Sequence, residues 1–223
     1  MITVHHLENS QSVRVLWLLE ELGVDYEVKQ YARDKQTSLA PRALKALHPM
    51  GTSPTITDGD AVLAESNAIV DYILDKHGDG RLRPAPGTPE RARYLFWFHA
   101  AQGSFMPLLI IKLMFNRFVS GAPFFVRPIM KSAVGRVEAM FLRPRIEKML
   151  DHIEAELGRS TWFAGEALTA ADIVMGYCME VAAVRAGMDA RYPKSLQFLE
   201  RMRARPAYKA AMQKGGPFVP LTG

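Results

Sequence analysis

Apolar and polar positions alternate at Ile2 and Val4, and again through DYEVKQY at Asp25–Tyr31, the period of a strand with one buried face. Between these runs the apolar positions 13, 15, 16, 18, 19 and 22 follow a helical period, and Gly23 supplies a stop. The opening therefore predicts β-α-β, with the two strands parallel and the crossover right-handed. Leu39–Leu47 predicts a short helix or turn, closed by His48-Pro49 and Gly51. Pro54–Thr57 predicts a third strand, Asp58-Gly59-Asp60 a tight turn, and Ala61–Leu63 an antiparallel partner. Helical period returns from Asn67 to His77 through Ile69, Val70, Ile73 and Leu74.

Strand signals then fade. Gly78, Gly80, Gly87, Pro84, Pro86 and Pro89 crowd one stretch, which predicts a linker over residues 80–88. It divides a βαβ–ββα domain at residues 1–79 from an all-helical domain at 89–223. A long helix is predicted from Pro89 to about Phe118, then a break at 119–128 around Gly121, Pro123 and Pro128. A second long helix should run to Leu157 with a kink near Pro144. Further helices are expected at Ala170–Ala186, Pro193–Ala204 and Pro206–Lys214. The fold class is α/β followed by all-α.

A hydrophobic content of 48% can build a core and argues against disorder. Cys178 is the single cysteine, so no internal disulfide can form and a reducing, cytoplasmic setting is expected. MITVHHLENS shows no basic stretch followed by an apolar run, so no signal peptide is expected. Apolar runs such as Phe105–Ile111 stop well short of the ~18 residues of a membrane span, and no membrane partner is expected. Residues 1–85 carry 9 basic and 12 acidic side chains, whereas residues 86–223 carry 19 and 11, so the two parts differ in charge. The arginines of the second part are interspersed with acids rather than massed, which argues against nucleic-acid binding. His5 and His6 have no partner at metal-ligand spacing, and no metal is expected.

The polar knot Glu8-Asn9-Ser10-Gln11-Ser12 lies between the first strand and the first helix. Such residues cap a helix, or hold a negative group at its N-terminus. The same element order, with LLEELGVDYEV, HPMGTSPTITD, AESNAIVDYI and FAGEALTAADI at their present spacing, resembles the cytosolic glutathione transferases over essentially the whole chain. The knot NSQS is most similar to that of bacterial and fungal members. The resemblance implies a thioredoxin-like domain followed by a helical one, a homodimer, and glutathione as co-substrate. It implies a thiolate that attacks small apolar electrophiles.

In that family a loop residue after the first strand donates a hydrogen bond to the thiolate. Ser10 is the first candidate here, with Asn9 and Ser12 as alternatives; neither tyrosine nor cysteine stands in the loop. The family pattern implies a cis bond before Pro54, which would present the backbone of Ser53 to the extended tripeptide. Glu65 and Ser66 would meet the ammonium and carboxylate of the γ-glutamyl end. Thr52 stands where many relatives have lysine or glutamine, so Lys35, Gln36, Arg42 or His48 is expected to supply the missing contact. Asn67 replaces a glycine common among relatives. Phe98, Gln102, Phe105 and Met106 share a helical spacing, and Phe105 and Met106 are candidates for lining the electrophile pocket. Thr169 and Asp172 are expected to form a capping box, and Cys178 and the three tryptophans to be core. Two other functions stay open: a non-enzymatic protein binding glutathione or apolar ligands, and a glutathione-dependent peroxidase.

Overall fold

A computed structural model describes residues 1–221. Its sheet has four strands, β1 Ile2–Leu7, β2 Tyr26–Tyr31, β3 Thr55–Asp58 and β4 Ala61–Ala64. Their order is β2-β1-β3-β4, with β1 parallel to β2 and antiparallel to β3, and β3 antiparallel to β4. Helix α1, Val13–Leu22, makes the crossover and stops at Gly23, whose φ of 65° a side chain would resist. The predicted 39–47 element contracts to one turn, α2 Arg42–Lys45, and α3 spans Ser66–His77. Ile2 and Val4 face the main core, while Leu7 packs with Tyr31 and Leu44 in a small second cluster.

Seven helices follow: α4 Pro89–Ala100, α5 Met106–Ser120, α6 Arg127–Val137, α7 Arg143–Leu157, α8 Ala170–Arg185, α9 Pro193–Ala204 and α10 Pro206–Gly215. A π-helical turn at Ala101–Phe105 joins α4 to α5, and another at Glu138–Leu142 joins α6 to α7. Each ends two residues before a proline, Pro107 or Pro144. Proline has no N–H, so the carbonyl four residues back loses its partner, and the helix widens there instead of breaking. The kink expected near Pro144 is thus a wide turn, and Pro107 produces the same feature.

By length and composition alone, the continuous helix Pro89–Ser120 could cross a membrane. Here its inner face, with Tyr94, Trp97, Phe98, Phe105 and Leu109, is packed into the core. That core also takes in Ile2 and Val4 of the sheet and most of α8, so apolar packing is continuous between the sheet and the helices. Ion pairs of Glu21 with Arg205 and of Glu20 with Lys214 tie α1 to the chain's last helices. Trp17, Trp97 and Trp162 are all buried, as expected of core residues.

The α8 capping box forms as the sequence predicts. Asp172 accepts from the N–H and hydroxyl of Thr169, and its second oxygen accepts from the N–H of Phe163 at 2.7 Å. It therefore pins the 163–169 loop as well as the helix. Replacing Asp172 by Ala strands these buried donors and should lower unfolding free energy by about 2 kcal/mol or more, measured by urea denaturation.

Candidate functional site

The loop Glu8–Ser12 joins the C-terminal end of β1 to α1, and the irregular segment Thr52–Pro54 before β3 lies beside it. Together with Arg33 and Tyr177 these segments enclose a cleft of about 260 Å³, lined by Leu7, Ser10, Gln11, Arg33, Leu39, Ala40, Thr52, Ser53 and Tyr177. A hollow of about 390 Å³ among Lys112, Glu138, Arg143 and Arg185 contains none of the loop residues.

Ser10 is the loop hydroxyl on the cleft wall. Its Oγ lies 2.9 Å from the Oγ of Ser53 and 2.7 Å from that of Ser12. The Ser53–Pro54 bond is cis. Ser12 is fully buried, makes no side-chain cap on α1, and turns its hydroxyl to Nδ1 of His6 at 2.9 Å. Ser12 thus holds the N-cap position of α1 without capping it through its side chain, because the nearby imidazole takes its hydroxyl. The Asn9 side chain points elsewhere, its Oδ1 accepting from the N–H of Val219 in the C-terminal segment.

Other expectations meet different surroundings. His48 does not line the cleft; its Nδ1 accepts from the N–H of Met50 within its own turn. Phe105 and Met106, the expected pocket residues, are 0% and 4% exposed and belong to the core. The helix spacing that selected them fits a buried face equally well. Among Lys35, Gln36 and Arg42, none lines the cleft.

Arg33 was not singled out by sequence, yet it is the cation on the cleft wall. Its Nε, Nη1 and Nη2 donate to the carbonyls of Glu8, Ser38 and Asn9, so backbone oxygens hold the guanidinium in place. No sequence signal marks it, because its partners are backbone atoms of the loop it braces.

Gln11 was also missed. Its Oε1 accepts from three groups: Nη1 of Arg14 at 2.8 Å, the hydroxyl of Ser66 at 3.1 Å and Nε2 of Gln102 at 2.7 Å. One amide oxygen thus joins the loop to α3 and to the turn after α4. Arg14 is 1% exposed; its guanidinium lies 4.6 Å from the centre of the Tyr177 ring and donates to Sγ of Cys178. No carboxylate pairs with it among the described residues. Burial lowers its pKa, with Cys178 and Tyr177 opposing the shift. Burial also pushes the Cys178 thiol up to about 11, leaving it a poor nucleophile.

Glu65 is exposed and has φ 74°, a left-handed backbone uncommon outside glycine. Ser66 follows as the first residue of α3, buried, with its hydroxyl engaged by Gln11. Asn67 fills the place of the relatives' glycine with a donor, its Nδ2 bonding the Phe98 carbonyl at 2.7 Å.

The family model "Glutathione S-transferase, N-terminal domain" matches residues 1–75, and "Glutathione S-transferase, C-terminal domain" matches residues 122–215. The chain is 33% identical over 216 residues to glutathione S-transferase 3 of Schizosaccharomyces pombe, covering 96% of this chain and 88% of that protein. It is 26% identical to glutathione S-transferase 1 of Saccharomyces cerevisiae, over 96% and 95%. A crystal structure of a glutathione S-transferase from Actinobacillus pleuropneumoniae superposes with TM-score 0.78 at 35% identity, covering 96% and 93%.

The shared acceptor at Gln11 has a measurable consequence. Gln11→Ala leaves the Arg14, Ser66 and Gln102 donors without it, one of them charged. Unfolding free energy should fall by about 2–3 kcal/mol, read from the midpoint of urea denaturation.

Proposed function

The chain belongs to the glutathione S-transferase family, and we propose that its cleft binds glutathione along Ser53, holds the thiol at Ser10, and transfers it as thiolate to an electrophilic carbon. The observation that carries this is the meeting of the Ser10 and Ser53 hydroxyls at 2.9 Å on the wall of a cleft that also presents Arg33. A hydroxyl donated to sulfur favours the charged form, and the nearby N-terminus of α1 adds positive potential. The thiolate then attacks, and the leaving group departs with its electron pair.

Glutathione brings two carboxylates and an ammonium. Glu65 receives the ammonium, and the start of α3 at Ser66 receives the γ-glutamyl carboxylate through backbone N–H groups. With threonine at position 52, Arg33 is the cation that meets the glycyl carboxylate. The acceptor substrates are small apolar electrophiles. Phe118, Phe124, Phe125, Ile129 and Met140 are exposed, and this apolar area supports a homodimer. A buried, protonated Cys178 suits a cytoplasmic enzyme.

Conjugation of glutathione to an aryl halide tests the assignment. Ser10→Ala should lower kcat/KM at neutral pH by about 10²-fold, the scale of losing one donor to a developing anion. Undiminished turnover in that variant would remove Ser10 from the role. Binding of glutathione without turnover in the natural protein would instead make it a binding protein on this fold. Arg33→Met should raise KM for glutathione roughly tenfold while kcat stays within about twofold, the pattern of lost uniform binding.

A further inference from the structure

Behind Ser10 the polar chain continues inward. Ser10 Oγ lies 2.7 Å from Ser12 Oγ, which lies 2.9 Å from Nδ1 of His6. All three side chains are buried, at 5%, 0% and 2% exposure. Each step is a normal hydrogen-bond length, so the cleft is wired to an imidazole that water does not reach. The other end of the ring, Cε1 and Nε2, lies against Gly215 at the end of α10. A Cβ at residue 215 would fall 2.5 Å from Cδ1 of Leu16 and 3.1 Å from Cε1 of His6, so a side chain there would crowd both.

In the tautomer that carries its proton on Nε2, toward Gly215, a neutral His6 presents Nδ1 as an acceptor. Ser12 then donates to Nδ1 and Ser10 can donate to Ser12, which leaves the lone pairs of Ser10 facing the cleft. We propose that His6 receives the thiol proton of glutathione through Ser10 and Ser12, so that the thiolate forms without releasing a proton to water. The step balances within the site. The S–H bond breaks as an O–H bond forms at Ser10; Ser10 passes its own proton to Ser12, and Ser12 passes its own to Nδ1. Sulfur keeps the electron pair, and each hydroxyl ends with one proton, now pointing the other way. Ser10 therefore becomes a donor to the thiolate at the moment the thiolate appears. After the product leaves, the proton returns along the same hydroxyls to water in the cleft.

His6 acts through two other residues and is a positioning residue. Burial lowers its pKa with the Gly215 contact opposing, so His6 is neutral beforehand and holds the proton only while the thiolate charge stands at the other end of the chain of hydroxyls. The groups packed on it are Ser12 and Leu16 from the α1 side and Gly215 from α10, with Gln30 as its register partner on β2. The charged neighbour on α10, Lys214, is turned to Glu20 and to the Tyr26 ring. On β1 the adjacent His5 bonds Tyr31 and Thr57 and feels Lys29. No carboxylate among these competes for the incoming proton.

The test, resting on Ser10 as the group that meets sulfur, uses the full chain and glutathione itself. Calorimetric titrations at neutral pH in buffers of different ionisation enthalpy count the protons released, and the ultraviolet thiolate band counts the thiolate formed. The natural protein should form thiolate with close to zero protons released. Release of about one proton per thiolate would overturn the proposal. His6→Asn keeps an acceptor for Ser12 near the Nδ1 position but cannot take up a proton. It should release that proton, move the acid limb of kcat/KM up toward the ~8.5 of a free thiol, and leave KM for glutathione within about twofold. An unmoved limb would sink the role of His6. Failure of the Ser10 assignment looks different: thiolate that persists in Ser10→Ala, or no thiolate band in the natural protein, overturns both assignments together.

Discussion

The burial of α1 on nearly every side constrains the rest of the molecule. Val13, Val15, Leu16, Trp17, Leu18, Leu19 and Leu22 are all 6% exposed or less, and so is Arg14. A surface helix buries one stripe; this one is covered by the sheet, α3, α8 and α10. The apolar area removed from water is the main stabilising term, at about 25 cal/mol per Å². The same burial has an obligation attached. Ser10, Ser12 and Arg14 at the N-terminus of α1 are buried, so their polar groups must find partners within the protein.

Those partners explain the form of the loop. Ser12 turns to His6, Ser10 to Ser12 and Ser53, Asn9 to the N–H of Val219, and Gln11 to three donors at once. Arg14 is the extreme case, a buried guanidinium among an amide, a thiol and an aromatic face. Its charge stays because arginine does not deprotonate in proteins. With no carboxylate paired to it among the described residues, it leaves net positive potential about one helical turn from the cleft, which would favour the thiolate proposed there.

How far sequence could reach follows from the range of the interactions. The sheet, the crossover helix, the α8 capping box and the order of the helices are local, set by periods of two and 3.6 and by residues three apart. They are legible. Sequence narrowed the proposed thiol-binding hydroxyl to three loop residues but does not display the contacts that separate them. The Asn9 side chain is engaged by Val219, 210 residues away, and that of Ser12 by His6 across the strand-to-helix turn, which leaves Ser10 on the cleft wall. Phe105 and Met106 misled because an apolar stripe fits a core face or a pocket equally, and only packing separates the two. Arg33 is invisible for another reason: its partners are backbone carbonyls, which every residue has.

With Ser10 as the proposed donor to the thiolate, the absence of a tyrosine from the loop has a physical reading. A phenol is more acidic than an aliphatic hydroxyl and is the better single donor to sulfur. An isolated serine would be weak in that role. Here Ser10 is not isolated: Ser53 stands beside it on the cleft wall, and buried Ser12 and His6 stand behind it, where linked hydrogen bonds polarise one another. The donor strength is then a property of the chain of groups rather than of one side chain. It depends on the end of α10 lying close over β1, where a side chain at 215 would crowd Leu16 and His6, so the geometry of the last helix reaches the first loop through a single ring.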